Sequence, residues 1–335
     1  MKALVLGATG FIGAHIIRKC LSAGIDVRGM KRVNSPLRAI EDLDVELVVG
    51  DTTDKGSLAA AMKGCDVVFH AAGYYPPSSR HPVAGVRQAM VQMRNVLDAA
   101  AETKVGKVIY ASSTSIVLPP AGSNRPANED DYYLPNPKDH LQLRAKWAQE
   151  QEIFRYVAHG VPVVILNVSA CYGPGDAKPL MGTLLVAVAK GVVKFWVEAQ
   201  ANLVDVRDVA DAHIAAIQHG RVGERYVIAG ENLSAREVLT IMAEEAGVPP
   251  PRWRVPLGVA LALARPLEHS LHLVLPRLIR GGTVSQVPTY LLDLVRYPQY
   301  LDSSKAMREL GFKQSPLRQA VRDGIAWYRE HGYLS

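Results

Sequence analysis

Short apolar runs alternate with amphipathic stretches through the first half of the chain. Met1–Leu6 is an apolar run that reads as a buried strand. Ala14–Leu21 has helical spacing, with Ile12, Ile16, Ile17 and Leu21 on one stripe. The alternation continues with predicted strands at Asp26–Met30, Val45–Val49, Cys65–His70, Val108–Ala111 and Val163–Asn167. Long helical patterns fall at about Pro82–Glu102 and Lys138–His159. Strands separated by helices predict a parallel sheet covered on both faces. Beyond Asp176 the rhythm loosens into helices at about Leu180–Lys190, Val206–His219 and Ala235–Ala246, with short strands such as Arg225–Ile228 between them. The expected fold is therefore α/β: a doubly wound parallel sheet with a smaller mixed α/β C-terminal lobe.

The connection between the first strand and first helix reads Gly7-Ala8-Thr9-Gly10-Phe11-Ile12-Gly13. Glycines there let the backbone turn sharply and approach a pyrophosphate, while the helix N-terminus offers free N–H groups and partial positive charge. Three glycines alone say little; between a strand and a helix they point to a dinucleotide site. Gly7, Thr9, Gly10, Phe11, Ile12 and Gly13 are its candidate residues. The second strand ends in Lys31-Arg32, with no carboxylate to hold ribose hydroxyls, and this favours NADP(H) over NAD(H). The third strand ends in Gly50-Asp51-Thr52, where Asp51 can accept from an adenine amino group, and Asp54 reads as a helix cap. Ala71-Ala72-Gly73 after the fourth strand lets a dinucleotide pass close to the backbone, and Tyr74 and Tyr75 follow where a substrate would sit. The fifth strand ends in Ser112-Ser113-Thr114-Ser115, a hydroxyl cluster at the same edge. Residues 1–175 are expected to form the dinucleotide-binding domain, with segments at about 200–230 returning to it. Residues 176–335 are mainly the substrate lobe.

Composition narrows the picture. The chain has 335 residues, 48% hydrophobic and 21% charged, with net charge +6. Its Lys and Arg are scattered without an aromatic–basic stripe, which implies a mild attraction for anionic ligands and no nucleic-acid partner. Cys20, Cys65 and Cys171 are too dispersed for a disulfide framework or a metal site and suit reduced thiols in a cytoplasm. The N-terminus runs directly into a strand, which reads as the absence of a signal peptide. Residues 256–275 are apolar but broken by Arg265, Glu268 and His269, so no membrane span is expected.

These motifs, with His70-Ala71-Ala72-Gly73, Tyr172-Gly173-Pro174-Gly175 and Val204-Asp205-Val206-Arg207-Asp208-Val209-Ala210, resemble the extended short-chain dehydrogenase/reductase family, in its NAD-dependent epimerase/dehydratase group. The resemblance covers nearly the whole chain. It is strongest toward dihydroflavonol-reductase-like enzymes and hopanoid-associated sugar epimerases, which Gly223-Glu224-Arg225-Tyr226 and Ala326-Trp327-Tyr328 also resemble. It implies a catalytic Ser, a Tyr that exchanges the proton, and a Lys that holds the nicotinamide ribose and lowers the Tyr pKa. It also implies a homodimer through the two long helices, and a place for Val168 beside the cofactor and for Ser115 and Tyr172 beside the substrate.

Ser113 falls on the family's serine and Lys146 on its lysine, but the tyrosine position is Gln142. An amide can hydrogen-bond a carbonyl yet has no proton to give up. Asp139 is placed on the helix stripe of Gln142 and Lys146, and His140 off it. Tyr74, Tyr75, Tyr132, Tyr133 and Asp139 are therefore the candidates for a relocated acid, with Tyr74 or Tyr75 the first choice and Asp139 the second. The arginine with which nucleotide-sugar members hold a diphosphate is replaced by Ala201, and the usual Arg-Pro after the sixth strand reads Asn167-Val168. The sequence therefore points to an NAD(P)-dependent oxidoreductase or epimerase/dehydratase-like enzyme acting on a carbonyl or alcohol of a small, fairly apolar molecule. A nucleotide sugar is the less favoured substrate, and a dinucleotide-binding sensor without catalytic activity is the alternative.

Overall fold

The computed structural model describes residues 1–73, 82–120, 122–123, 125–136, 139–179, 181–260, 297 and 299–334. Seven parallel strands form the central sheet. They are β1 (Lys2–Leu6), β2 (Asp26–Lys31), β3 (Glu46–Val49), β4 (Val67–His70), β5 (Lys107–Ser113), β6 (Val163–Val168) and β10 (Arg225–Ile228). Their order is β10-β6-β5-β4-β1-β2-β3. The chain winds outward from β1 through β2 to β3, then returns to β4 and winds the other way. The reversal leaves a crevice at the carboxyl ends of β1 and β4, where doubly wound folds take their ligands.

Alternation along β1 explains how both faces are covered. Ala3 and Val5 face α1 (Phe11–Ser22) and α6 (Val206–His219), in a core that also holds Ile16, Ile17, Phe69 and Val209. Leu4 and Leu6 face the other way, into a core with α2 (Lys55–Met62), α3 (Pro82–Thr103) and α4 (Leu141–Val157). Leu58, Met62, Met93, Leu97 and Ile153 fill it. Leu21, expected on the apolar stripe of α1, is exposed, and Cys20 is buried in its place. Asp54 caps α2 by accepting from the Gly56 N–H.

The smaller lobe holds a mixed sheet of β7 (Ala170–Tyr172), β9 (Gln200–Asp205) and β11 (Glu231–Ser234), and a parallel pair of β8 (Phe195–Trp196) with β12 (Trp253–Arg254). Helices α5 (Gly182–Ala189), α7 (Ala235–Ala246) and α9 (Leu317–Glu330) build its core around Val186, Met242, Val321 and Ile325. Helix α8 (Ser304–Leu310) packs instead with the main sheet. Among the described residues no helix is long and apolar enough to cross a membrane.

Candidate active site

The turn after β1 is built for close approach. Gly7 has φ +83°, and a Cβ there would lie 2.8 Å from Ala72 N and 2.9 Å from Ala71 O, so only glycine lets the β1 and β4 turns touch. Gly10 stands at the N-cap of α1 with no side-chain cap, and the first turn carries no acid. Its amides therefore remain available to an anion, and the helix dipole favours one. This cradle fits a dinucleotide pyrophosphate. Gly13 differs from its expected role. It does not line the cleft; a Cβ there would sit 2.2 Å from Gly7 O, so its work is to bring helix and turn together.

Around this turn lies a cleft of about 1560 Å³. Single-ligand sites span roughly 300–1,000 Å³, so this one has room for a cofactor and a second molecule. Gly7, Thr9, Gly10, Phe11, Ile12, Lys31, Arg32, Asp51, Thr52, Ala71, Ala72, Gly73 and Val168 all line it. Asp51 also shapes its own turn, accepting from Thr53 N and Thr53 Oγ1 at 2.8 Å each.

At the other end of the cleft, β5 delivers Ser113. Its Oγ donates to Ser115 Oγ at 2.9 Å and accepts from Ser115 N at 3.2 Å, which fixes the start of a short 3₁₀ turn, Thr114–Ile116. Helix α4 supplies Gln142 and Lys146, one turn apart and both lining the cleft. Lys146 Nζ donates to Tyr110 Oη at 3.0 Å and Ala111 O at 3.1 Å. Burial pushes its pKa down to about 8, against the pull of Glu150. Gln142 is 5% exposed, and its Oε1 has no hydrogen-bond partner among the described residues. An unpaired buried acceptor costs about 1–3 kcal/mol. Here it lies on a cleft wall, where a ligand hydroxyl could satisfy it.

Behind these groups a buried network fixes α4 against the sheet. Glu150 accepts from Ser112 Oγ at 2.5 Å and Asn167 Nδ2 at 2.7 Å, and pairs with Arg225 Nε at 3.2 Å. Arg225, on β10, also donates to the carbonyls of Glu129 and Asp131 at 3.1 and 3.0 Å. Strands β5, β6 and β10 thus hold the helix that carries Gln142 and Lys146.

Asp139 does not share that helix face. Helix α4 starts at Leu141, because the His140 ring caps it by accepting from Gln142 N at 3.2 Å. Asp139 lies before the cap, takes hydroxyl donations from Tyr133 at 2.5 Å and Tyr297 at 2.6 Å, and is absent from the cleft wall. Two phenols hold its carboxylate in a structural role. Tyr74 and Tyr75 lie outside the described residues. Tyr172 lines the cleft, with its Oη donating to Met181 O at 3.1 Å.

The family model for the NAD dependent epimerase/dehydratase family matches residues 3–229. The chain belongs to that family. Its members are grouped with the extended short-chain dehydrogenases/reductases. Over 98% of this chain and 95% of the relative, it is 32% identical to a dihydroflavonol 4-reductase-like protein of Synechocystis sp.. It is 30% identical over the full length of both chains to sterol demethylase protein B of Methylococcus capsulatus. Among solved structures, a nucleoside-diphosphate-sugar epimerase from Pseudomonas aeruginosa superposes with TM-score 0.82. It is 28% identical and covers 100% of this chain and 99% of that one. The family and the relatives matched are nicotinamide-dinucleotide-dependent enzymes, reductases and epimerases.

Three groups on the cleft wall escaped the sequence reading: Ser169, Asp176 and Lys178. Ser169 has a buried hydroxyl with no partner among the described residues. Asp176 is buried against Tyr328, whose Oη donates to it at 3.0 Å, and burial raises its pKa to about 6. Both follow directly on motifs that were read, Asn167-Val168 and the Tyr172–Gly175 turn. Only the fold shows that this turn curls back over the cofactor end.

Proposed function

We propose that the protein is an NADP(H)-dependent oxidoreductase acting on a carbonyl or alcohol of an apolar small molecule. The observation that carries this reading is the chemistry of the cleft's far half. There Met181, Leu184, Val193, Phe195, Trp196, Leu203, Val238, Leu239, Val255 and Val259 line it, and from Met181 onward the described residues contribute no charged side chain to the wall. Ala201, where nucleotide-sugar relatives are expected to carry arginine, is part of the same wall. A diphosphate would be buried there without a cation, which is costly. The name of the relative from Methylococcus capsulatus points the same way, toward a sterol-like substrate.

In this reading Lys146 holds the nicotinamide ribose, and the nicotinamide, when bound, supplies or takes the hydride. Ser113 and Gln142 hold the substrate oxygen: the hydroxyl donates to it, and the amide of Gln142 either donates to a carbonyl or accepts from an alcohol. The proton comes from Tyr74 or Tyr75, which follow β4 at the cofactor edge. Lys31 and Arg32 receive the 2′-phosphate of the cofactor. Residues 1–175, with segments at about 200–230 that return to them, act as the cofactor domain and 176–335 mainly as the substrate lobe. The three free cysteines, Cys20, Cys65 and Cys171, support a cytoplasmic setting.

The test is consumption of NADPH or NADH, followed by absorbance, against a panel of apolar ketones and aldehydes with UDP-glucose included. Turnover of an apolar carbonyl with NADPH supports the reading; turnover confined to the nucleotide sugar overturns it. A second reading, a cofactor-binding sensor, is favoured by one observation, the amide in place of the tyrosine. Tight cofactor binding with no turnover on any substrate would leave that reading standing.

A further inference from the structure

Cations gather on the cleft wall near the end of β2. Lys31 and Arg32 leave the end of β2, and Lys178 comes from the turn after β7; all three line the cleft, with Ser35 beside them. None of the three has a carboxylate within ion-pair distance among the described residues. Cations elsewhere on α1 and β2 do: Arg18 pairs with Asp42, Lys19 with Asp211 and Arg28 with Glu46. Like charges brought together at a surface repel, and a bound anion relieves the repulsion.

Lys178 is brought there by the C-terminal tail. Tyr333 Oη donates to Ala177 O at 2.7 Å, and Arg38 donates to Tyr333 Oη at 3.4 Å and to His331 O at 2.7 Å. On the other side, His15 Nε2 lies 2.9 Å from Pro174 O, tying the same turn to α1. The turn is therefore braced at both ends, and Lys178 stands on it in the wall of the same cleft as Arg32. Burial, then the charge of Arg32, lowers the Lys178 pKa, which accords with that proximity.

We propose that Lys178 is a second cationic arm for the cofactor's 2′-phosphate, closing on it from the side opposite Arg32. The phosphate is gripped between two chain segments that are distant in sequence, so Lys178 determines cofactor specificity together with the β2 end. This rests on the reading that the cofactor carries a 2′-phosphate.

The experiment is calorimetric binding of 2′,5′-ADP and of 5′-AMP to the full chain, with no turnover involved. Wild type is expected to bind 2′,5′-ADP more tightly. Lys178→Ala should weaken 2′,5′-ADP by about 10-fold or more, the scale of a lost charge-assisted contact, and leave 5′-AMP unchanged. Lys178→Arg should restore most of the loss. Lys178 is exposed, so the substitution spares the core. If Arg32→Ala abolishes the preference and Lys178→Ala does not, the second arm is refuted while the NADP(H) reading stands. If wild type binds the two nucleotides equally, the NADP(H) reading itself fails.

Discussion

Replacing Gln142 by methionine should make the protein more stable and the enzyme worse. The side chain is 5% exposed and its Oε1 is buried without a partner among the described residues. An unsatisfied buried acceptor costs about 1–3 kcal/mol, and methionine has nearly the same length and shape with no amide to satisfy. After allowance for any hydrogen bond lost from Nε2, the net gain should be about 1–2 kcal/mol. Urea unfolding reads this as a higher midpoint at unchanged slope. The same substitution removes the group proposed to hold the substrate oxygen, and kcat/KM should fall about 10-fold, the value of one hydrogen bond made to the reacting centre. Gln142→Tyr tests the position from the other direction. It places a phenol one helical turn before Lys146 and should restore family-like chemistry: with Tyr74 and Tyr75 both replaced by phenylalanine, adding Gln142→Tyr should recover the turnover they lose, about 10²–10⁴-fold, the usual contribution of a positioned acid. The reasoning is refuted if Gln142→Met is no more stable than wild type and retains full kcat/KM. If only Gln142→Tyr shows turnover, the sensor reading prevails.

Asp176 should make stability pH-dependent. Its pKa is raised from 3.8 to about 6, so the native state favours the neutral acid. The stabilisation is fully present below pH 3.8 and is lost as pH rises through 6, worth about 3 kcal/mol; Asp176→Asn should flatten the pH profile of unfolding across that window. Arg225→Met leaves Glu150 as a buried charge without its ion-pair partner and should destabilise the fold by about 3–5 kcal/mol, while adding Glu150→Gln should recover part of it in the same denaturation assay. Tyr74→Phe and Tyr75→Phe should include one variant that binds NADPH normally but turns over about 10²–10⁴-fold more slowly; full activity in both, and in the double variant, removes them as proton source. We also propose a homodimer through α3 and α4, where Val83 and Val91 are exposed; a monomer by light scattering at micromolar concentration rules it out.

Much of the fold was legible because its elements follow local rules. The strand at Arg225–Ile228 and the helices Val206–His219 and Ala235–Ala246 fall where their patterns place them. The last two begin at Asp205 and Ser234, side-chain caps that the chain supplies itself. The start of α4 was not legible. Helical periodicity runs back to Lys138, yet Tyr297, 158 residues away from Asp139, takes part in holding that carboxylate outside the helix. Of Val91, Val96, Leu97, Leu141 and Phe154, the apolar residues that suggest a dimer surface on the two long helices, Val96, Leu97 and Leu141 are buried within this chain, Phe154 is half-buried and Val91 is exposed. At the site, Ser113, Gln142 and Lys146 could be aligned by motif, because a helix repeats every turn. Lys178 could not, since its place depends on contacts with Tyr333 and Arg38 that no spacing encodes. Short strands such as β7 and β8 are likewise made by their partners.

The pairing of Glu150 with Arg225 has a consequence for how the enzyme comes into being. The carboxylate that steadies the catalytic helix is synthesised 75 residues before the guanidinium that neutralises it. A nascent chain that has exposed α4 and β6 but not β10 carries a carboxylate with no cation to accompany it into the interior, and the sheet edge of β6 is bare. The helix bearing Gln142 and Lys146 therefore sets firmly only after β10 has emerged from the ribosome and docked. A fragment ending at residue 175 would lack β10 and the cation that Glu150 pairs with, so the helix bearing Gln142 and Lys146 would be held less firmly.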